Sequence, residues 1–181
     1  MRIAFLFPGQ GSQYVGMGRE FYTSYKKMRE VFRQASHVLD LDLKELCFEG
    51  PEEELRKTIN TQPAIFTVSW GIYSILREKG IRCEVVAGHS LGEYTAMAAA
   101  GVMDYSAALK LVRRRAELMD EVSRTVDGGM AAVIGLPKER VTSACQEIGV
   151  EAVNFNSPLQ IVISGERKKI KEAVNILSQR G

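Results

Sequence analysis

Cysteine is scarce in this chain. Cys47, Cys83 and Cys145 are odd in number, far apart and without a C-x-x-C pair. A disulfide framework and a zinc site are both unsupported by such spacing. Reduced thiols in a cytoplasmic protein are the expectation, with no metal site. Long apolar runs are missing too. The first one, residues 3–7, is too short for a signal peptide or a membrane span. Charge of one sign is not in excess: 24 Lys and Arg against 22 Asp and Glu give +2. That is too mild for a nucleic-acid binder, and aromatics are not interleaved with a basic stripe. A weakly basic surface does suit an acidic partner. Internal repeats and low-complexity segments are absent. Histidine is limited to His37 and His89.

What is present is ordinary for a globular protein: 181 residues, 45% hydrophobic and 25% charged, enough for one or two domains with a real core. A buried strand is predicted at 2–7, ending in the loop Pro8-Gly9-Gln10-Gly11-Ser12-Gln13. Helices are predicted at 18–26 and 28–39, and a helix start at Pro51-Glu52-Glu53-Glu54, with acids at the positive dipole end. A longer helix over 61–78 closes at Gly80. After a strand at 85–87 and a helix over 94–100, Gly101 ends one helix and Asp104 caps another to about 124. Strands alternating with helices indicate α/β with a parallel sheet. The composition changes at Asp127-Gly128-Gly129. Beyond it the predicted order is strand 130–134, helix 137–148, strand 152–155, strand 160–164 and helix 168–179. That is β-α-β-β-α, one strand short of a ferredoxin-like unit.

The most informative stretch is Gly88-His89-Ser90-Leu91-Gly92-Glu93. Strand, Gly-x-Ser-x-Gly and helix form the layout of a nucleophile elbow, in which glycines permit a sharp turn and the serine hydroxyl is exposed. The Leu91 N–H would then stand at a helix start, where an oxyanion is stabilised. Gln10 lies at the carboxyl end of the first strand, the edge where open α/β sheets hold ligands, and an amide can donate to an oxyanion. A phosphate loop is the weaker reading there, because Gly9-x-Gly11 lacks the third glycine and no Gly-Lys-Ser/Thr follows.

Arg113, Arg114 and Arg115 separate by helical phase. The apolar stripe reads Ala108, Leu111, Leu118 and Val122, with Arg115 on it. Arg113 and Arg114 fall on the charged, solvated side. An inward Arg115 needs an anion, either a structural carboxylate or a substrate carboxylate. A serine nucleophile also needs a base in reach. His89 leaves the turn in another direction from Ser90, and His37 lies on a surface helix, so neither is a convincing base.

These motifs, together with Thr61-Gln62-Pro63-Ala64, Tyr94 and Val153-Asn154-Phe155-Asn156-Ser157-Pro158, closely resemble the malonyl-CoA:acyl-carrier-protein transacylase family. Acyltransferase domains of polyketide and fatty-acid synthases are similar. The resemblance covers the whole chain. It implies ping-pong transfer of malonyl from coenzyme A, through a Ser90 ester, to the phosphopantetheine thiol of acyl carrier protein. Malonyl-CoA and phosphopantetheine are then substrates, and no cofactor is implied. Gln10 and the Leu91 N–H would form the oxyanion hole. Arg115, with His89 and Asn156, would bind substrate, Arg115 holding the malonate carboxylate. No nucleic acid and no membrane would be partners.

Family members continue further. A later histidine serves as base, a later glutamine orients it, and a C-terminal segment completes the main sheet. The implied fold is α/β: a hydrolase-like core, residues 1–126, and a ferredoxin-like subdomain, residues 127–181, both truncated at the C-terminus. The missing C-terminal half would be a partner. Three other readings stay open: a non-catalytic fragment or acyl-carrier-binding module, a serine esterase, and a phosphate-binding module. The esterase needs a histidine after the serine, and none follows Ser90.

Overall fold

The computed structural model describes residues 2–179; Met1, Arg180 and Gly181, at the ends of the two expected domains, lie outside the described residues. The chain divides into two compact units at Asp120/Glu121.

The first unit carries a parallel pair, β1 (Ala4–Phe7) and β2 (Val85–Gly88), in register from Ala4↔Val85 to Phe7↔Gly88. Around it stand α1 (Arg19–Ser24), α2 (Lys26–Leu39), α3 (Leu43–Phe48), α4 (Glu52–Arg56), α5 (Thr58–Glu78) and α6 (Leu91–Ala99). Most of α7 (Tyr105–Thr125) also belongs here. The core gathers Met28, Phe32, Phe48, Phe66, Leu91 and Leu109. Helix α5 is its axis: every residue from Thr61 to Val68 is buried. Punctuation follows the sequence. Gly80 and Gly101 take positive φ, 79° and 78°, after α5 and α6, as helix-ending glycines do. Asp104 Oδ1 accepts from the Ala107 N–H at 2.9 Å as the cap of α7.

Three local expectations are corrected. Helix α3 was not anticipated, although Asp42 caps it by accepting from the Glu45 N–H at 2.9 Å. The apolar strand at 2–7 is buried on one face only. Phe5, Phe7 and Val86 pack toward Tyr73 and Ala96, while Leu6 is 77% exposed and Val85 56%. A continuous apolar run hides such alternation. The buried stripe of α7 is Tyr105, Ala108, Leu109, Val112 and Ala116, whereas Leu111, Leu118 and Val122 are exposed. The helix carries two apolar stripes, and periodicity alone does not say which one meets the core.

The second unit contains β3 (Gly128–Ile134), α8 (Lys138–Ile148), β4 (Glu151–Ser157), β5 (Gln160–Glu166) and α9 (Arg167–Gln179). Its sheet is antiparallel, ordered β3-β5-β4. Strands β3 and β4 therefore run the same way on either side of β5. Val133, Ile161 and Ile163 pack with Val141, Ile170 and Leu177 of the two helices. Among the described residues no helix is long and apolar enough to cross a membrane.

Candidate active site

The parallel register sets Phe7 beside Gly88, so the loop after β1 and the turn after β2 leave the same sheet edge as neighbours. The His89 N–H donates to Phe7 O at 3.1 Å and joins them. The turn is then forced by sterics. A Cβ on Gly88 would meet the Gly92 carbonyl carbon at 2.0 Å, and one on Gly92 would meet Phe7 O at 2.1 Å. Both are backbone atoms that cannot swing aside. A Cβ on Gly9 would meet His89 O at 2.7 Å and its Nδ1 at 2.8 Å, so the His89 ring lies against the β1 loop.

Ser90 sits at φ 52°, ψ −101°, immediately before α6. A non-glycine residue in that region carries strain on the order of 1–3 kcal/mol, which surrounding structure must hold. The residue is exposed, as an elbow serine should be. The turn's own hydrogen bonds run from Gly92 N–H to His89 O at 2.9 Å and from Glu93 N–H to Ser90 O at 3.2 Å. Leu91 itself is buried at the first position of α6, and its N–H lies outside those turn bonds.

Arg115 reaches this elbow from α7. Its Nη2 donates to Ser90 Oγ at 2.9 Å. Its Nη1 donates to Gln62 Oε1, and its guanidinium lies 5.6 Å from the centroid of the Tyr94 ring. The side chain is thus held by two neutral acceptors and an aromatic face. Arg115 is half-buried even though the stripe that phase gave it, Leu111, Leu118 and Val122, is exposed, and Arg114 is exposed with Glu117 at 3.3 Å. Arg113 departs from the solvated position expected of it. It is half-buried, bonded to Glu117 at 3.0 Å and to Ile59 O at 3.4 Å. Pro63 explains the second bond: it has no N–H to give Ile59 O, so that carbonyl is open for Arg113. The Arg113 hydrogen bond, helped by Arg114, holds the Glu117 carboxyl below the usual glutamate range.

Gln10 stands in the loop beside the elbow, but its side-chain amide is engaged elsewhere. Nε2 donates to Thr58 Oγ1 at 3.1 Å, and Oε1 faces Gln62 Nε2 at 3.5 Å. Ser90, Leu91, His89, Gln10 and Arg115 are therefore brought together in the first unit. Asn156 belongs to β4 of the second unit, where its Nδ2 donates to Gln160 Oε1 at 3.2 Å. His37 is exposed in the last turn of α2. Gln62, Thr58 and Tyr94 touch Gln10 or Arg115, and sequence reasoning gave them no role. The signal was available for Gln62, an uncharged polar residue inside the apolar stretch from Thr61 to Val68.

The thiols stand apart from this chemistry. Burial pushes the Cys47 thiol up to about 12 and raises Cys145 as well. Such thiols are poor nucleophiles.

Comparison with known proteins bears on the family and the fold. The acyl transferase domain model matches residues 4–181. A malonyl CoA-acyl carrier protein transacylase of Haemophilus influenzae is 45% identical over 99% of this chain and 60% of its own length. One of Bacillus subtilis strain 168 is 43% identical over 99% of this chain and 58% of its own. The crystal structure of an acyl-carrier-protein S-malonyltransferase from Burkholderia pseudomallei superposes with a TM-score of 0.94 at 44% identity, covering 100% of this chain and 60% of that one. A malonyl-transacylase solved in complex with a type II PKS acyl-carrier protein gives 0.95 at 42% identity, with 100% and 60% coverage. The chain thus spans about 60% of the length of these relatives. With the family model matched from β1 through α9, the chain belongs to the acyl transferase domain family.

Proposed function

We propose that the protein carrying this chain moves a malonyl group from coenzyme A to acyl carrier protein through an ester on Ser90, in fatty-acid or polyketide synthesis. The observation that carries this reading is the 2.9 Å contact between the Arg115 guanidinium and the hydroxyl of an elbow serine. In a malonyl ester the carboxylate carbon is two bonds of about 1.5 Å beyond the acyl carbon. A guanidinium already touching the serine oxygen is therefore within reach of that carboxylate, and a bidentate pair can form with little movement. The relatives from Haemophilus influenzae and Bacillus subtilis, named malonyl transacylases, point the same way.

In the first half-reaction Ser90 Oγ attacks the thioester carbonyl and gives up its proton. The carbonyl oxygen becomes an oxyanion beside the Leu91 N–H, where the first turn of α6 presents unpaired donors and a positive dipole end. Gln10 contributes from the facing loop. Its side-chain amide is bonded to Thr58 and Gln62, so its backbone N–H is the donor offered to the oxyanion. Collapse expels the coenzyme A thiolate, which takes up a proton. The phosphopantetheine thiol of acyl carrier protein then attacks the ester by the reverse steps. The reading assigns the base to a histidine in the part of the relatives that this chain does not span. His89, packed against Gly9, is assigned to substrate binding at the elbow. No cofactor beyond the two substrates is required, and a cytoplasmic location belongs to the same reading. So does a division into an acyltransferase core, 1–126, and a ferredoxin-like subdomain, 127–181; the order β3-β5-β4 supports that subdomain.

Peptide mass mapping of the intact protein after malonyl-CoA treatment tests the reading. The malonyl group is expected on the Ser90 peptide and nowhere else. Labelling that survives in Ser90→Ala would sink it.

A further inference from the structure

Gln62 is 0% exposed and anchors the guanidinium next to Ser90. Its orientation is dictated by chemistry. Turning the amide over would aim Nε2, a donor, at Arg115 Nη1, another donor. The correct sense is fixed from the other end, where Nε2 meets Met119 Sδ at 3.2 Å and Gln10 Oε1 at 3.5 Å. Gln62 therefore ties the β1 loop, α5 and α7 to one point.

We propose that Gln62 is a positioning residue whose neutrality sets the preference for a carboxylated acyl group: it orients Arg115 without neutralising it. The inference rests on the malonyl-transfer reading above. An apolar residue at position 62 would leave a half-buried guanidinium short of an acceptor, and the group would turn toward water. A glutamate would hold Arg115 equally well but would form a buried ion pair. The acyl carboxylate would then meet a charge already compensated, with a like charge close behind it. An amide is the one group of this size that supplies an acceptor to Arg115 and a donor to Gln10 and Met119, with no net charge.

The test uses two isosteric variants of the intact protein, Gln62→Glu and Gln62→Met, with Arg115→Ala in parallel. Acylation of Ser90 is measured with malonyl-CoA and with acetyl-CoA. Gln62→Met should lower malonyl kcat/KM about 10- to 100-fold. Gln62→Glu should lower it about 100-fold or more, mostly through KM. Acetyl transfer makes no use of the charge but shares the Gln10 loop, so its loss should be about a tenth of the malonyl loss in both. A merely structural role would lower both acyl groups alike, and that result overturns the inference while Arg115→Ala still discriminates between them. If Arg115→Ala also lowers both equally, the reading of Arg115 falls and the inference with it. Should either Gln62 variant fail to fold, the wild-type protein decides. Added malonate should shift the Gln62 side-chain amide signals in a nitrogen-15 spectrum, and acetate at the same concentration should not; equal response to the two anions overturns the inference.

Discussion

Arg115 and Arg114 are consecutive, and their environments differ completely. Arg115 touches Ser90, Gln62 and the face of Tyr94, while Arg114 is an exposed partner of Glu117. A charge-assisted bidentate pair in such a site is worth about 2–4 kcal/mol, or roughly 30- to 900-fold. Arg115→Ala in the intact protein should therefore lose malonyl transfer by about that factor and acetyl transfer far less. Arg114→Ala should stay within about 2-fold of wild type, because an exposed ion pair contributes little. Steady-state kinetics with both thioesters checks the pair of predictions, and equal losses of malonyl and acetyl transfer in Arg115→Ala would make Arg115 structural. Helical phase separated Arg115 from its neighbours only by setting it on Leu111, Leu118 and Val122, a stripe that the structure leaves exposed. Phase was not enough to place Arg113, because the acceptor that draws Arg113 inward exists only through Pro63, fifty residues earlier in the chain. Nor did it show what holds Arg115. Gln62 comes from another helix, and contacts of that kind have no local signature.

At the scale of elements, the elbow was legible because its demands are local. Two glycines, a serine between them, an apolar strand before and helix formers after describe the turn almost completely. The structure adds why the glycines are needed. At Gly92 the obstacle is Phe7 O at 2.1 Å, which belongs to the paired strand. Gly92→Ala should therefore separate β1 from the start of α6, at a cost of about 3 kcal/mol or more. Gly11, in the facing loop, has φ 105° and nothing within 4 Å of a Cβ. Gly11→Ala carries only the backbone penalty of that conformation, about 1–2 kcal/mol. Urea midpoints of the two variants measure this contrast. Equal shifts would mean that the close approach to Phe7 O is not what requires a glycine at 92. Elements set by partners were less legible. The six-residue helix α3 is too short to show a periodicity, so only its cap Asp42 announced it. Strand β1 looked buried because every residue from Ile3 to Phe7 is apolar, and one-sided covering is a property of packing.

The whole molecule keeps its polar and apolar balance in composition but not in distribution. Leu6 and Val85 stand exposed on one side of the parallel pair, and Leu111, Leu118 and Val122 form an exposed row on α7. In the second unit Met130, Ile134 and Phe155 are exposed on the sheet. Single exposed apolar side chains are normal, whereas contiguous ones seek cover. Parallel strands in particular are ordinarily covered on both faces. A net charge of only +2 offers little long-range repulsion between copies. The purified 181-residue chain should therefore self-associate as its concentration rises and should bind an apolar dye such as ANS while its far-ultraviolet circular dichroism stays folded. Sedimentation velocity across roughly a hundredfold range of concentration reads the association. Replacing Leu6 and Val85 by threonine, which keeps the strand propensity and removes apolar surface, should lower both dye binding and association. A chain that stays monomeric throughout the range and leaves the dye dark would show that these faces are covered in solution. An association unchanged by the two threonines would move its source to the α7 row or the second sheet.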